Sequence, residues 1–207
     1  FEPVQRERGR IGVKDFDPCT ILLNTDLASG IPGILEDLQS QYLLPPLHAS
    51  WAVRRKSRHF DCYDDAAKRF AKLIGVDPWL INPDFDVCGE LDSATPQGLD
   101  TLRAKVEAML LKTRRKYKEY GIKERPLVVV KHDDRHSGMG LMTLRDGKDL
   151  AAQAALLPAS GPQALVVQEG VLTLERINDA VAEPVVYMLD RFVVGGFYRV
   201  HAQQGAD

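Results

Sequence analysis

Short runs of hydrophobic residues alternate along this chain with longer stretches in which hydrophobic residues recur at helical spacing. Short apolar runs bounded by turn residues predict strands. These strands lie at Cys19–Leu23, Leu127–Lys131, Leu141–Leu144 and Leu165–Gln168, and in a hairpin of Pro184–Leu189 with Phe192–Val200. Strands interspersed with helices favour an α/β or α+β fold class over an all-helical or all-β one.

Apolar residues at helical spacing predict four helices among these strands. They cover Ile34–Leu44, residues 61–74, residues 99–120 and Lys148–Leu157. Asp61 is placed to cap the second helix and Gly75 to end it. The apolar stripe that we expect this helix to bury consists of Ala66, Phe70, Leu73 and Ile74.

The segment Asn82–Gly98 is rich in Asp, Gly, Pro and Ser, which is typical of a loop or a domain junction. We therefore predict a smaller N-terminal α/β domain on the substrate side, residues 1–98. A nucleotide-binding region would follow, residues 99–207.

The composition of the chain argues against several classes of function. The chain has 207 residues, 44% of them hydrophobic, and a formal net charge of -2, so no global field favours nucleic acid or an anionic membrane. No stretch approaches the roughly 18 apolar residues of a membrane helix. Three cysteines without a CxxC pair predict a reduced, cytoplasmic protein. Because the chain starts at Phe1 and stops at Asp207 just after an apolar strand, we expect a fragment.

The strongest local motif follows the strand Leu127–Lys131. A lysine at the end of a strand can reach phosphate oxygens, and the small residues of the next turn let backbone N–H groups approach an anion. Lys131 and the turn Ser137, Gly138, Met139 and Gly140 therefore form a candidate phosphate loop. The alternative is a buried strand followed by an ordinary glycine hairpin, with Lys131 in solvent.

Two later segments could complete a nucleotide site. The strand end at Gln168, Glu169, Gly170 and Val171 exposes backbone groups that match the edge of adenine, and Glu175 could bond ribose hydroxyls. Arg199, near the end of the hairpin, could neutralise charge on a transferring phosphoryl group. The alternative for the first segment is a strand end followed by a turn. The alternative for Arg199 is an exposed arginine on a strand.

Further polar residues are candidates for substrate binding. Arg54, Arg55 and Lys56 could bind a substrate carboxylate, and Asp26, which ends a strand with Asn24 and Thr25, could bind a substrate ammonium group. The alternative for the basic residues is a solvated turn, and the alternative for Asp26 is a helix cap. The lysines and arginines of the 99–120 helix lack interleaved aromatic residues, so we predict a solvated face and no nucleic-acid site.

The order of these motifs along the chain resembles the ATP-grasp fold, in which two α+β lobes close on ATP. The motifs are a strand that ends in a lysine, a turn with glycines, a strand followed by an acidic residue, and a hairpin that carries an arginine. Longer strings resemble the minor proteobacterial class of glutamate–cysteine ligase. They are FEPVQRERGRIGVKDFDPCTILLN, LPPLHASWAVRRKSRHFDCYDD, QEGV and AEPVVYMLDRFVVGGFYRVH. The resemblance covers nearly all of the chain except residues 89–101 and 146–162. It implies an ATP-grasp-like, two-lobed nucleotide-binding body preceded by a smaller α/β domain.

The resemblance also implies an activity. Such ligases use ATP and Mg2+ to join the γ-carboxylate of glutamate to the amine of cysteine through an acyl phosphate, the first step of glutathione synthesis. Lys131 would bind the phosphates under a lid of residues 137–140, with adenine at residues 168–171 and Arg199 near the transferring group. An oligomer of identical chains is left open.

Two departures from the family pattern qualify these expectations. Residues 132–136 are bulkier and more charged than the family's small-residue loop, and the acidic residue and Asn that usually bind magnesium would lie beyond Asp207. We therefore expect this fragment not to catalyse the reaction unaided. An ATP-grasp ligase for another amino acid or peptide and a truncated, non-catalytic nucleotide-binding chain are the alternatives.

Overall fold

The computed structural model describes residues 2–24, 27, 30–49, 53–134, 141–153 and 161–201. The chain divides into two compact units, Phe1–Glu169 and Gly170–Asp207. This division differs from the predicted boundary after residue 98, which falls inside a helix of the first unit. The observed boundary instead lies within the segment of residues 168–171.

The core of the first unit is a four-stranded sheet with a long helix packed against it. The strands have the order β5–β8–β6–β7 and all neighbours are antiparallel. Their bounds are β5 Phe85–Leu91, β6 Val128–His132, β7 Met142–Leu144 and β8 Gln163–Glu169. The strands predicted near residues 127, 141 and 165 are therefore confirmed, and a short helix, α3 Asp149–Gln153, follows β7.

The long helix α2, Pro96–Glu119, confirms the third predicted helix. Thr95 caps its N-terminus, where the Thr95 hydroxyl oxygen accepts the N–H of Gly98 at 3.1 Å, and Pro96 suits the first turn because its missing N–H has no partner there. One face is buried against the sheet. Its core residues on α2 are Leu102, Val106, Met109 and Leu110.

Strand β6 is buried on one face and not, as predicted, on both. Val128, Val130 and His132 are buried, whereas Val129 and Lys131 are half-buried on the other face. The apolar run is continuous in the sequence. It therefore does not show the alternation of buried and half-buried residues that a strand has when a helix covers only one face of its sheet. Lys131 lies on the face away from α2.

The helix α1, Lys56–Ile74, begins five residues before the predicted cap at Asp61 and ends at Gly75, whose φ of 72° confirms the predicted left-handed stop. The predicted stripe is wrong, because Phe70 and Leu73 are 52% and 81% exposed. The buried residues of the helix are Ala67 and Ala71. They share a face with Asp64, which accepts a hydrogen bond from Asn82 Nδ2 at 3.0 Å.

The predicted loop at residues 82–98 is wrong over most of its length, because β5 occupies Phe85–Leu91 and α2 begins at Pro96. Its Asp and Gly residues suit a strand for local reasons. Asp86 pairs with Lys105 of α2 at 2.8 Å, and Gly89 takes a φ of 68° where the register with β8 shifts. A β-bulge of this kind needs a residue that tolerates positive φ.

The N-terminal residues form two small sheets around a separate apolar core. They are β1 Gln5–Glu7 with β2 Arg10–Gly12, antiparallel, and β3 Thr20–Leu22 with β4 Tyr42–Leu44, parallel. The predicted helix Ile34–Leu44 is wrong. A single helical turn over Gly33–Leu35 is broken at Asp37 (φ 52°), and the buried side chain of Gln41 bonds the N–H and C=O of Ile11 at 2.6 and 2.8 Å.

The second unit is a three-stranded antiparallel sheet in the order β11–β10–β9. Its strands are β9 Arg176–Ile177, β10 Ala180–Leu189 and β11 Phe192–His201. They confirm the predicted hairpin, which turns at Asp190 with a φ of 54°.

Three lysines of α2 form ion pairs with aspartates rather than a continuous positive surface. Lys105 pairs with Asp86, Lys112 with Asp84 at 2.6 Å, and Lys116 with Asp77. These pairs neutralise part of the positive charge of the helix. Within the described ranges, no helix has the length and apolarity needed to cross a membrane.

Candidate functional site

Lys131 and Gln168, predicted separately from two motifs, lie side by side in the first unit. Because β6 and β8 are antiparallel neighbours, the Lys131 ammonium donates a hydrogen bond to Gln168 Oε1 at 2.6 Å. Burial lowers the pKa of Lys131, and the positive charge of Lys56 lowers it further. Lys131 is thus a half-buried cation rather than a solvated surface lysine.

Lys56 brings a second cation to the same end of β6. It is the first residue of α1, and its ammonium donates to the backbone C=O of His132 at 2.5 Å. Burial lowers the pKa of Lys56 most strongly, although the charges of Asp133 and Asp134 act in the opposite direction. Two half-buried ammonium groups therefore lie close enough to repel one another, an arrangement that a polyanion such as a phosphate chain would relieve.

Asp133 fixes Lys56 beside β6 by capping α1 from a distance in sequence. One carboxylate oxygen accepts the N–H of Ser57 at 2.7 Å, and the other accepts the Ser57 hydroxyl at 2.8 Å. The N–H of Lys56 donates to the backbone C=O of Asp133 at 3.0 Å. A negative charge at a helix N-terminus satisfies exposed N–H groups and interacts favourably with the helix dipole.

Asp133→Ala is expected to destabilise the first unit by about 1–2 kcal/mol, because it removes both cap bonds from a buried position. Urea unfolding followed by helical circular dichroism measures this loss. Asp134→Ala is the matched control, since Asp134 makes an exposed ion pair with Arg55 that is worth about 0–1 kcal/mol. Equal losses in the two variants would contradict the capping role.

The predicted substrate residues do not all come to this end of β6. Arg55 does, since its guanidinium lies 3.1 Å from the carboxylate of Asp134, and Arg54 precedes it half-buried. Asn24 is exposed after β3, in the N-terminal sheets. Asp26 lies outside the described residues.

Glu169, predicted to help hold adenine, is a buried structural carboxylate. It accepts the indole N–H of Trp79 at 2.8 Å and the N–H of Asp84 at 3.2 Å. Its own N–H donates to the backbone C=O of Asp84 at 2.8 Å. The N–H of Glu169 is thus used within the fold, and we remove it from the candidate adenine contacts.

Burial raises the pKa of Glu169 above its ordinary value of 4.5, against the opposing hydrogen bonds from Asp84 and Trp79. A carboxyl group with a raised pKa stabilises the fold below its unfolded pKa, and this contribution is lost as the pH rises through the folded pKa. The unfolding free energy of the wild type should therefore fall, relative to that of Glu169→Gln, as the pH rises from 4.5. Urea unfolding of both proteins at several pH values tests this, and parallel curves would contradict it.

The remaining predicted residues lie in the second unit or outside the described ranges. In the second unit, the backbone C=O of Glu175 accepts the N–H of Ala182 at 2.9 Å, and Arg199 pairs with Glu183 at 3.7 Å across the hairpin. Gly170 and Val171 precede β9. Ser137, Gly138, Met139 and Gly140 are not among the residues that the structure describes.

Sequence reasoning missed Asp133, Ser57 and the role of Lys56 in this site. Ser57 and Asp133 are 76 residues apart, so no local motif joins them. The charged stretch of residues 132–136 was an available clue, because it was the point at which the chain departs from the family's small-residue loop.

Comparisons with known proteins agree with the resemblance noted in the sequence. The model of the glutamate-cysteine ligase family (GshA) matches residues 1–207. The chain is similar to a crystal structure, at 1.90 Å resolution, of a candidate gamma-glutamylcysteine synthetase from Methylobacillus flagellatus KT. The two are 51% identical with a TM-score of 0.89, over 100% of this chain and 50% of that chain.

The chain has no match among the curated proteins. It spans half the length of the solved Methylobacillus protein. The family match nevertheless covers every residue, including the β6 and β8 ends that carry the candidate site. The chain belongs to the glutamate-cysteine ligase family.

Proposed function

We propose that this chain supplies the nucleotide-binding part of an ATP-dependent ligase that joins glutamate to cysteine. The observation that carries the proposal is the pair of half-buried lysines, Lys131 and Lys56, at the end of β6 beside Gln168. Family membership supports the same activity.

The two lysines suit the phosphates of ATP. Each ammonium group has three N–H donors; one from Lys131 goes to Gln168 Oε1 and one from Lys56 goes to the His132 carbonyl. Partial burial strengthens a charge-assisted hydrogen bond to phosphate because water screens it less. In the proposed reaction, these residues bind and orient the phosphate chain and neutralise its charge.

The ATP-grasp-like arrangement is part of the proposal. It assigns residues 1–98 to the substrate side and residues 99–207 to nucleotide binding, with β5 contributed to the nucleotide-side sheet. Adenine would lie at Gln168, Gly170 and Val171, at and after the end of β8. Residues 137–140 would form the lid.

Glu175 and Arg199 are retained in the proposal as ribose and phosphoryl contacts. Both residues have exposed side chains in the second unit. A guanidinium group can neutralise the charge that develops on a transferring phosphoryl group.

Magnesium would enter with the nucleotide. Among the described residues, no group of three or more His, Cys, Asp or Glu side chains could hold a metal ion. Mg2+ in phosphoryl-transfer sites is commonly held by one or two carboxylates, substrate phosphates and water. Its chemical contribution would be to bridge and neutralise the phosphate oxygens.

A chimera tests the activity. The chain replaces the part of the Methylobacillus protein that it matches, and ADP and γ-glutamylcysteine are measured by mass spectrometry with Mg-ATP, glutamate and cysteine. We expect both products in equal amounts, and neither when glutamate or cysteine is omitted. ADP release that needs neither amino acid would contradict the proposal, and product with a different acceptor would reassign the substrate. The unaltered Methylobacillus protein is the control.

A further inference from the structure

A cleft of about 330 Å³ opens at the end of the central sheet, next to the lysine pair. It is lined by residues from β5, from the end of β6 and from the start of β8, together with Arg55, which directly precedes α1. Binding pockets begin at roughly 300 Å³, so this cleft suits a small molecule. Lys56 donates a hydrogen bond to the backbone C=O of His132, which lines the cleft, and the cleft therefore adjoins the proposed phosphate site.

The register shift in β5 lies in the lining of this cleft. The register with β8 shifts between Val87 and Gly89, both of which line the cleft. Gly89 has a φ of 68°, and a Cβ atom built at Gly89 would have no heavy atom within 4 Å. The wall there is backbone without a side chain. Val87, Pro162 and Ala164 provide small apolar surface around it.

Charged groups of both signs line the cleft. Arg55 is the one lysine or arginine among the described residues that line it, and three carboxylates, those of Glu90, Asp133 and Asp134, line it as well. The Asp133 oxygens are engaged by Ser57, whereas Asp134 and Arg55 are about half exposed and pair with each other. A ligand with both an ammonium and a carboxylate group could therefore bind to both members of that pair.

We propose that this cleft binds the amino-acid acceptor of the reaction as a zwitterion with a short uncharged side chain, the class to which cysteine belongs. The α-carboxylate pairs with Arg55, and the α-ammonium lies among Asp134 and Glu90. This inference rests on the proposed function, because it names the acceptor subsite of the same ligase.

Charge separates the two amino acids of the proposed reaction. One arginine and three carboxylates give the lining a charge of about -2 when all four are ionised at pH 7. Glutamate carries a net charge of -1 and is repelled, whereas the cysteine zwitterion carries none. The small apolar residues of the wall also suit a thiol side chain better than a second carboxylate.

Calorimetric titration of the full chain with L-cysteine under reducing conditions tests the proposal without any variant. The matched probes are cysteamine, which lacks the carboxylate, 3-mercaptopropionate, which lacks the ammonium group, and L-glutamate. We expect cysteine to bind about tenfold more tightly than each probe, because each loses a charged hydrogen bond or meets repulsion. Equal affinities, or no binding of cysteine, would overturn the proposal.

Two variants locate the binding. Arg55→Gln and Asp134→Asn should each weaken cysteine binding about tenfold, whereas the exposed α1 controls Arg58→Gln and Asp61→Asn should leave it unchanged. Circular dichroism verifies that each variant is folded. Cysteine binding that survives both cleft substitutions would place the ligand elsewhere and overturn the assignment.

A parallel titration with an ATP analogue separates the two proposals. Lys131-dependent nucleotide binding without cysteine binding leaves the nucleotide site standing and removes the acceptor cleft. Cleft-dependent cysteine binding without nucleotide binding supports the cleft and contradicts the proposed phosphate site.

Discussion

Lys131→Ala is expected to weaken binding of an ATP analogue by roughly 10- to 100-fold, since a charged hydrogen bond contributes about 1.5–3 kcal/mol. The ammonium group is half-buried, and its pKa is lowered by burial and by the nearby charge of Lys56. Bound phosphate would place a negative charge beside the Lys131 ammonium group and stabilise its charged form. Calorimetric titration of the variant and the wild type measures the effect.

Lys123→Ala is the matched control for this prediction. Lys123 is an exposed lysine shortly before β6, so its replacement makes the same change in net charge without touching the lysine pair. Its nucleotide affinity should equal that of the wild type. If both variants lost affinity equally, the effect would be one of overall charge, and the phosphate site at Lys131 would be wrong.

Leu102→Ala is expected to destabilise the first unit by about 2–5 kcal/mol, the largest stability effect that we predict. Leu102 has no exposed surface and lies in the cluster between α2 and the central sheet, with Val106 and Val130. Removing three carbon atoms there leaves a cavity in addition to the lost burial. The expected loss of stability depends on which face of α2 is buried and not on the helix propensity of leucine.

Leu111→Ala makes the same chemical change on the opposite side of α2. Leu111 is 49% exposed, so its replacement should alter the unfolding free energy by no more than about 0.5 kcal/mol. Urea unfolding of the two variants, followed by circular dichroism at a helical wavelength, compares them directly. Similar losses would show that the assigned buried face of α2 is wrong.

Long or strongly apolar segments could be predicted from the sequence. Helix α2 follows its hydrophobic spacing because one of its faces packs on the central sheet. Strands β6, β8 and β10 coincide with short apolar runs. The errors occurred where a non-local contact decides the structure. Gln41 takes the place of a backbone partner for Ile11, and Gly89 makes a bulge in a strand whose composition is typical of a loop.

The candidate site could be predicted only in part. The motif at Lys131 and the strand end at Gln168 were identifiable, but their contact follows from the pairing of β6 with β8. Glu169 shows the limit of motif reasoning, since its backbone N–H is paired with Asp84 and its side chain accepts the indole N–H of Trp79. The cap that joins Asp133 to Ser57 depends on the tertiary fold alone.

The most direct test of the central claim is a nuclear magnetic resonance titration that observes the lysine ammonium groups themselves. The chain is labelled with nitrogen-15 at the lysine Nζ atoms, and the signals are assigned with Lys131→Arg and Lys56→Arg. An ATP analogue with magnesium should shift the Lys131 and Lys56 signals together and to saturation, and leave the Lys123 signal in place. Saturable nucleotide binding that leaves both of those signals unmoved would contradict the account.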